Sequence, residues 1–298
     1  MPGGRMSMLL IAALVLVGVA CERRSPPAGQ SPPAASTVTA PDATVAPSGD
    51  RARTDRAAPG AQEATAYFAR SAGDRIWTEP ETHALPEPTL GVARAAMREL
   101  VAGDTIDPNL RSLAPAGTAV LGVAIDGDVL VVDLSEAVRS GSGSARERAF
   151  AQQLAHTAAQ FDGVDAVRLR VEGRPLAELW GHLDWSRPIT PDPFALSPID
   201  IEHPRWGQRL PVGELTVTGQ ATTFEATVDL LLIAPDGAVA EDSFTTASVG
   251  APERGAWSHT FTVTAPGRWT VEAAAPDPSS GEGPPPFRTR VQVEVAGV

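Results

Sequence analysis

Apolar positions along this chain change their period several times, and each change marks a different kind of element. Met8 to Ala20 is one apolar run, too short to cross a bilayer core of ~30 Å, which takes about 20 helical residues. Residues 22 to 62 show no period: Pro, Ala, Ser, Thr and Gly dominate. Such a stretch buries too little apolar surface to offset its ordering entropy, which predicts a disordered, partly polyproline-like tether. Ala64 to Ala69 then reads as a short strand, bounded by Ser71-Ala72-Gly73-Asp74. Leu90, Ala93, Met97 and Leu100 recur at helical steps and predict a helix over Thr89–Ala102, with Gly103 placed to end it. Two strands follow, Ala119–Ile125 and Val129–Leu134, joined by a tight turn at Asp126-Gly127. Ser144-Ala145-Arg146-Glu147 has the spacing of a capping box, opening a second helix with Phe150, Leu154, Ala158 and Phe161 as its buried stripe. His156 falls off that stripe, towards solvent. Val164 to Glu172 returns as a strand. The order β-α-β-β-α-β over residues 63–183 predicts an α+β domain with two helices on one face of a small sheet.

After Ile199 the period is two. Strand-like runs are Ile199–Glu202, Glu214–Thr218, Ala226–Ile233, Ala238–Thr245, Trp257–Thr264, Arg268–Ala275 and Arg288–Val295, separated by turn signals such as Pro235-Asp236-Gly237 and Pro266-Gly267. This spacing predicts an all-β immunoglobulin-like sandwich over residues 199–298. The connector, residues 184–198, is proline-rich, and the region around it carries Trp180, Trp185 and Trp206. Two readings stand for these tryptophans: a stacking platform for a cell-wall sugar or peptide, or packing in the seam between the domains.

The chain has 298 residues, a net charge of −12 and no lysine, which argues against nucleic acid or an anionic lipid surface as partner. Cys21 is the single cysteine, so no disulfide can form within the chain. Val17-Gly18-Val19-Ala20-Cys21 resembles a bacterial lipobox, with Gly18 where a branched residue is usual. The resemblance implies a signal peptide over residues 1–20, cleavage before Cys21, a fatty-acyl group such as palmitate on its sulfur, and a place on the outer face of the cell membrane. A plain secretory signal is the alternative.

Two further resemblances cover the rest. Tyr67-Phe68, Pro115, Gly117-Thr118, Asp126-Gly127, Val132-Asp133-Leu134-Ser135 and the run from Val167 to Pro175 make the first domain similar to the GerMN domain of sporulation and germination lipoproteins. Ile201, Pro204, Leu215, Val217, Gly219, Ala221, Phe224-Glu225, Asp236-Gly237, Trp257, Phe261 and Ser280-Gly281 make the second similar to the immunoglobulin-like Gmad domain. The first implies a non-catalytic extracytoplasmic module related in fold to modules that self-associate. Within it, Ser135 is expected to cap a short helix, Glu136 to Arg139, and Asp133 to face solvent or bond the same turn. Glu225 is expected to bond backbone groups at a sheet end.

No catalytic constellation rises from the sequence. Ser140-Gly141-Ser142-Gly143-Ser144 reads as a loop, not a nucleophile elbow. The five histidines lack metal-ligand spacing, and no phosphate loop is present. Glu79 and Glu81 flank Pro80 in what reads as a loop with nothing to raise a pKa. The expectation is a lipid-anchored scaffolding or binding protein of the envelope, without cofactor or metal. Its partner would be an envelope protein or peptidoglycan, with self-association through the first domain as a further route. The alternatives are glycan binding through the tryptophans and, more weakly, a wall hydrolase.

Overall fold

The computed structural model describes residues 62–85, 91–276 and 286–297. These residues fall in one compact unit, Ala52–Val298, built around two separate hydrophobic cores. Cys21, the tether, Leu90 and Ser280-Gly281 lie outside the described residues.

The first core is enclosed by two sheets and two helices. Strand β1 (Glu63–Ala72) turns at Gly73-Asp74 into β2 (Arg75–Ala84), with Ala72 opposite Arg75. The sequence predicts a short strand here and a loop beyond it; the structure instead has a hairpin of two ten-residue strands. Helix α1 (Val92–Ala102) ends at Gly103, whose φ of 73° is the left-handed conformation that glycine tolerates, and the Gly103 N–H donates to the Glu99 carbonyl. Strand β3 (Leu110–Arg111) joins the open side of β1. Strands β4 (Val120–Asp126) and β5 (Val129–Leu134) form the second hairpin, with Gly127-Asp128 as the loop, one residue later than expected. Helix α2 (Ser144–Ala159) carries the chain to β6 (Ala166–Val171), parallel to β5, and β7 (Arg174–Pro175) closes that sheet. The strands therefore divide into two sheets, β2-β1-β3 and β4-β5-β6-β7. Phe68, Met97, Leu130, Phe150 and Leu169 from all these layers meet in one core.

Several local expectations are corrected. Ser144 is the first helical residue of α2 and makes no capping bond; Glu147 does not reach back, because it is turned into the core. His156 is buried, with its ring stacked on Tyr67 at 5.3 Å and its Nε2 2.9 Å from the Asp192 carbonyl. Ser135 precedes a 3-10 turn, Glu136–Ser140, without capping it; its hydroxyl accepts from the Ala119 N–H at 2.9 Å. Asp133 reaches the neighbouring strand connection and accepts from the Gly173 N–H at 2.9 Å.

The second core is a two-sheet sandwich. Strands β8 (Arg209–Pro211), β9 (Gly213–Ala221), β10 (Thr227–Ile233), β11 (Val239–Thr246), β12 (Gly255–Val263), β13 (Gly267–Ala274) and β14 (Arg288–Ala296) follow in order. They form a five-stranded sheet, β11-β10-β13-β14-β8, facing a two-stranded one, β12-β9. Leu215, Val217, Trp257 and Phe261 of the smaller sheet pack on Leu230, Val271 and Val293 of the larger, the inward half of the alternation read in the sequence. Ile199–Glu202 is not a full strand. It follows β9 through isolated bridges at Ile199 and His203, with the Asp200 and Glu202 amides donating to the Gln220 and Thr218 carbonyls. Gly219 is required at this approach: a Cβ there would lie 2.0 Å from the Asp200 carbonyl oxygen and 2.8 Å from the Trp257 ring. Glu225 is exposed, in a 3-10 turn with φ 55°, and its carboxylate bonds no backbone group among the described residues.

Candidate functional site: a cleft between the two cores

The connector brings the two cores into contact. Arg205 of the second core makes a paired contact with Glu63 of β1, at 2.9 and 3.2 Å, and Trp77 of β2 meets Phe287 edge-on at 6.0 Å. The Ser197 amide donates to the Thr78 carbonyl. Arg254 donates to the Ser197 carbonyl at 2.8 Å and to Asp200 at 2.7 Å. Beside this seam lies a cleft of about 320 Å³, walled by β1 and β2 on one side and by Asp200–Trp206 and the start of β14 on the other.

Its floor is an ion-pair network. Arg70 sits almost wholly buried, 2.7 Å from both Glu79 and Asp107. Burial penalises the guanidinium's charge, but the two carboxylates outweigh it and raise its pKa above the ordinary value. Burial pushes the Glu79 carboxyl up, against the pull of Arg70. Glu81 goes the other way: burial opposes its charge, yet His83 and the Asp107 and Ile106 amides hold the carboxyl below its ordinary range. Those amides donate to Glu81 at 2.7 and 2.9 Å; the His83 ring lies 2.9 Å away, close but poorly aligned. The expectation that Glu79 and Glu81 sit in a loop without perturbation is thus overturned. Both are strand residues, and burial plus named partners shift them in opposite directions.

The tryptophans do not form a platform. Trp185 is 1% exposed, and its indole N–H donates to Glu147 Oε1 at 2.9 Å. Trp180 is half-buried, stacked on Phe150 at 5.6 Å and bonded through Nε1 to the Val138 carbonyl. Gly141 makes room for it, since a Cβ there would fall 2.1 Å from the ring. Trp206 alone lines the cleft, on the second core. The platform reading is therefore corrected: two of the three indoles are spent on the first core, around the buried Glu147. Tyr67, Arg70 and Glu202, which do meet at the cleft, carry no spacing signal that sequence reasoning could use. Among the described residues, no group of three or more His, Cys, Asp or Glu could hold a metal ion. No described helix is long and apolar enough to cross a membrane.

Residues 65–177 match the family described as sporulation and spore germination, and residues 198–282 match the immunoglobulin-like domain of bacterial spore germination. The chain joins a GerMN domain to a Gmad domain. Among solved structures, the tandem GerMN domains of the sporulation protein GerM from Bacillus subtilis are 15% identical, with a TM-score of 0.39 over 47% of this chain and 49% of that one. This chain thus spans about half the length of that tandem structure. The first GerMN domain of the same protein is 24% identical, with a TM-score of 0.37 over 43% of this chain and 97% of that one. A putative lipoprotein from Clostridium perfringens is 17% identical, with a TM-score of 0.33 over 46% and 93% of the two chains. No curated protein matches. Both domains therefore belong to families described for sporulation and germination, and neither description names an enzyme.

Proposed function

We propose that this protein is an extracytoplasmic lipoprotein, moored to the cell membrane by an acyl group on Cys21, that acts as a non-catalytic binding or scaffolding protein of the envelope. The observation that carries this is the pairing of a GerMN with a Gmad domain behind an apolar run that stops at the chain's single cysteine. The lipid fixes position, and the proline-rich stretch of residues 22–62 gives reach. The GerMN and Gmad domains, tied through Arg205–Glu63 and Trp77–Phe287, present one surface to a partner in sporulation, germination or envelope signalling. The clefted seam supports binding over chemistry, because its buried charges are satisfied by one another. Fractionation tests this reading. The wild-type chain should sediment with membranes and cross-link there to an envelope component, whereas Cys21→Ser should lose both. A wild-type chain found free in the medium would count against it.

A further inference from the structure

Resting on the reading of the chain as a binding protein, we propose that the cleft between the GerMN and Gmad domains takes an organic ammonium group on a short apolar stem. The stem lies against Tyr67 and Trp206, with Glu202 as counter-ion.

The choice follows from which groups are already spent. The cleft lining holds three arginines. Arg70 is bound to Glu79 and Asp107, Arg205 to Glu63, and Arg290 to Glu272. The chain has no lysine. Every arginine of the lining is already ion-paired and no lysine is available, so apart from the exposed His203 on the same wall an anionic ligand finds no unpaired basic side chain. Five carboxylates line the same walls. Four are engaged internally: Glu79 by Arg70, Asp107 by Arg70 and Asn109, Glu81 by two amides, and Asp200 by Arg254 and the Gln220 N–H. Glu202 is exposed and has no partner for its carboxylate among the described residues. Its backbone is fixed, since its amide donates to the Thr218 carbonyl of β9.

The aromatic groups are partly spent, since one face of Tyr67 is stacked on His156 at 5.3 Å and Trp206 packs on the second core, but their polar ends are free. The Tyr67 hydroxyl and the Trp206 indole N–H have no hydrogen-bond partner among the described residues, and both rings are half-buried at the cleft. Burial, then the nearby Asp200, pushes the Tyr67 phenol above its ordinary pKa; Arg254 pulls the other way, and Glu202 adds a smaller push. Aromatic faces beside a free carboxylate, in a cleft at a domain boundary, attract a cation through ring quadrupole and charge together. Ile106, 43% exposed at the rim, offers the apolar contact that a stem needs. The net charge of −12 adds a field of the right sign.

The test uses the full chain with Cys21→Ser, titrated at pH 7.5 and followed by calorimetry. The probes are cadaverine and tetramethylammonium, against N-acetylglucosamine trimer and inorganic phosphate. Saturable binding of the ammonium probes is expected, weakened by salt, reduced about fivefold in Glu202→Gln as befits a partly exposed ion pair, and lost in Glu202→Arg. Glu178→Gln, an exposed carboxylate outside the cleft, should bind as wild type. Binding of the sugar or phosphate in preference, no binding of any probe, or equal loss in Glu178→Gln would overturn the proposal. None of those results bears on acylation or membrane sedimentation, so the anchored-protein reading stands or falls separately.

Discussion

Glu147 Oε1 accepts a hydrogen bond from the Trp185 indole at 2.9 Å inside the first core. The same carboxylate takes the backbone N–H groups of Trp180 at 3.0 Å and His182 at 2.9 Å. One fully buried acid thereby fastens the segment after β7 onto helix α2, without any cation in the contact. A buried acceptor of three donors is costly to remove, because each donor is left dry. Glu147→Ala should destabilise the folded chain by about 3 kcal/mol or more, and Glu147→Gln by less, since one amide oxygen can still accept. Thermal unfolding reads this directly, and equal melting temperatures for wild type and Glu147→Ala would refute it.

The Glu81 carboxyl is held below its ordinary range, so folding favours its ionised form. That stabilisation is complete above the ordinary glutamate pKa of about 4.3 and is lost as pH falls through the lower native value. Glu79, pushed up by burial, works in the opposite sense and regains stability on acidification. Glu81→Gln should therefore cost about 2 kcal/mol at pH 7, with the gap to wild type narrowing as the pH falls below the ordinary glutamate pKa. Urea unfolding at pH 7 and pH 3.5 checks the sign; a gap that widens in acid contradicts it.

At the other end of the seam, Gly219 leaves no space for a methyl group, 2.0 Å from the Asp200 carbonyl oxygen. Gly219→Ala should push residues 199–203 off β9 and cost about 2–3 kcal/mol. A melting temperature within about 1 °C of wild type would show that the segment yields freely.

The Trp77–Phe287 contact bridges two cores that share no buried residue. Trp77→Ala should leave both cores intact but uncouple them, so that calorimetry resolves two unfolding transitions where wild type shows one. Glu63→Ala should do little, because the Glu63–Arg205 pair is about one-third exposed on each side and such pairs are worth under about 1 kcal/mol. A single sharp transition in Trp77→Ala would mean that other contacts carry the coupling.

Legibility in the sequence followed how each residue is buried. The runs Val129–Leu134 and Val291–Val295 bury only apolar side chains on their inward faces, so their strands could be read within a residue or two. Strand β2 could not be: Glu79, Glu81 and His83 point into the protein, Glu79 onto Arg70, Glu81 onto the loop at Ile106 and His83 between Glu81 and Glu99, and such buried charged and polar side chains have the pattern of a solvated face. Glu147 deceived for the same reason, since a glutamate three residues after a serine suits a capping box as well as a core acceptor. His156 lies off the apolar stripe of α2, yet the helix is enclosed on most sides by the connector and Tyr67. The cleft itself depends on residues more than a hundred positions apart, Glu63 and Arg205 among them, and no local pattern encodes such a meeting.

Mass spectrometry of the mature N-terminal peptide from isolated membranes examines the anchor itself. A chain beginning at Cys21, with a diacylglyceryl mass on its sulfur that vanishes in Cys21→Ser, is the outcome this account predicts. A mature terminus at any other residue, or an unmodified thiol at Cys21, would contradict it.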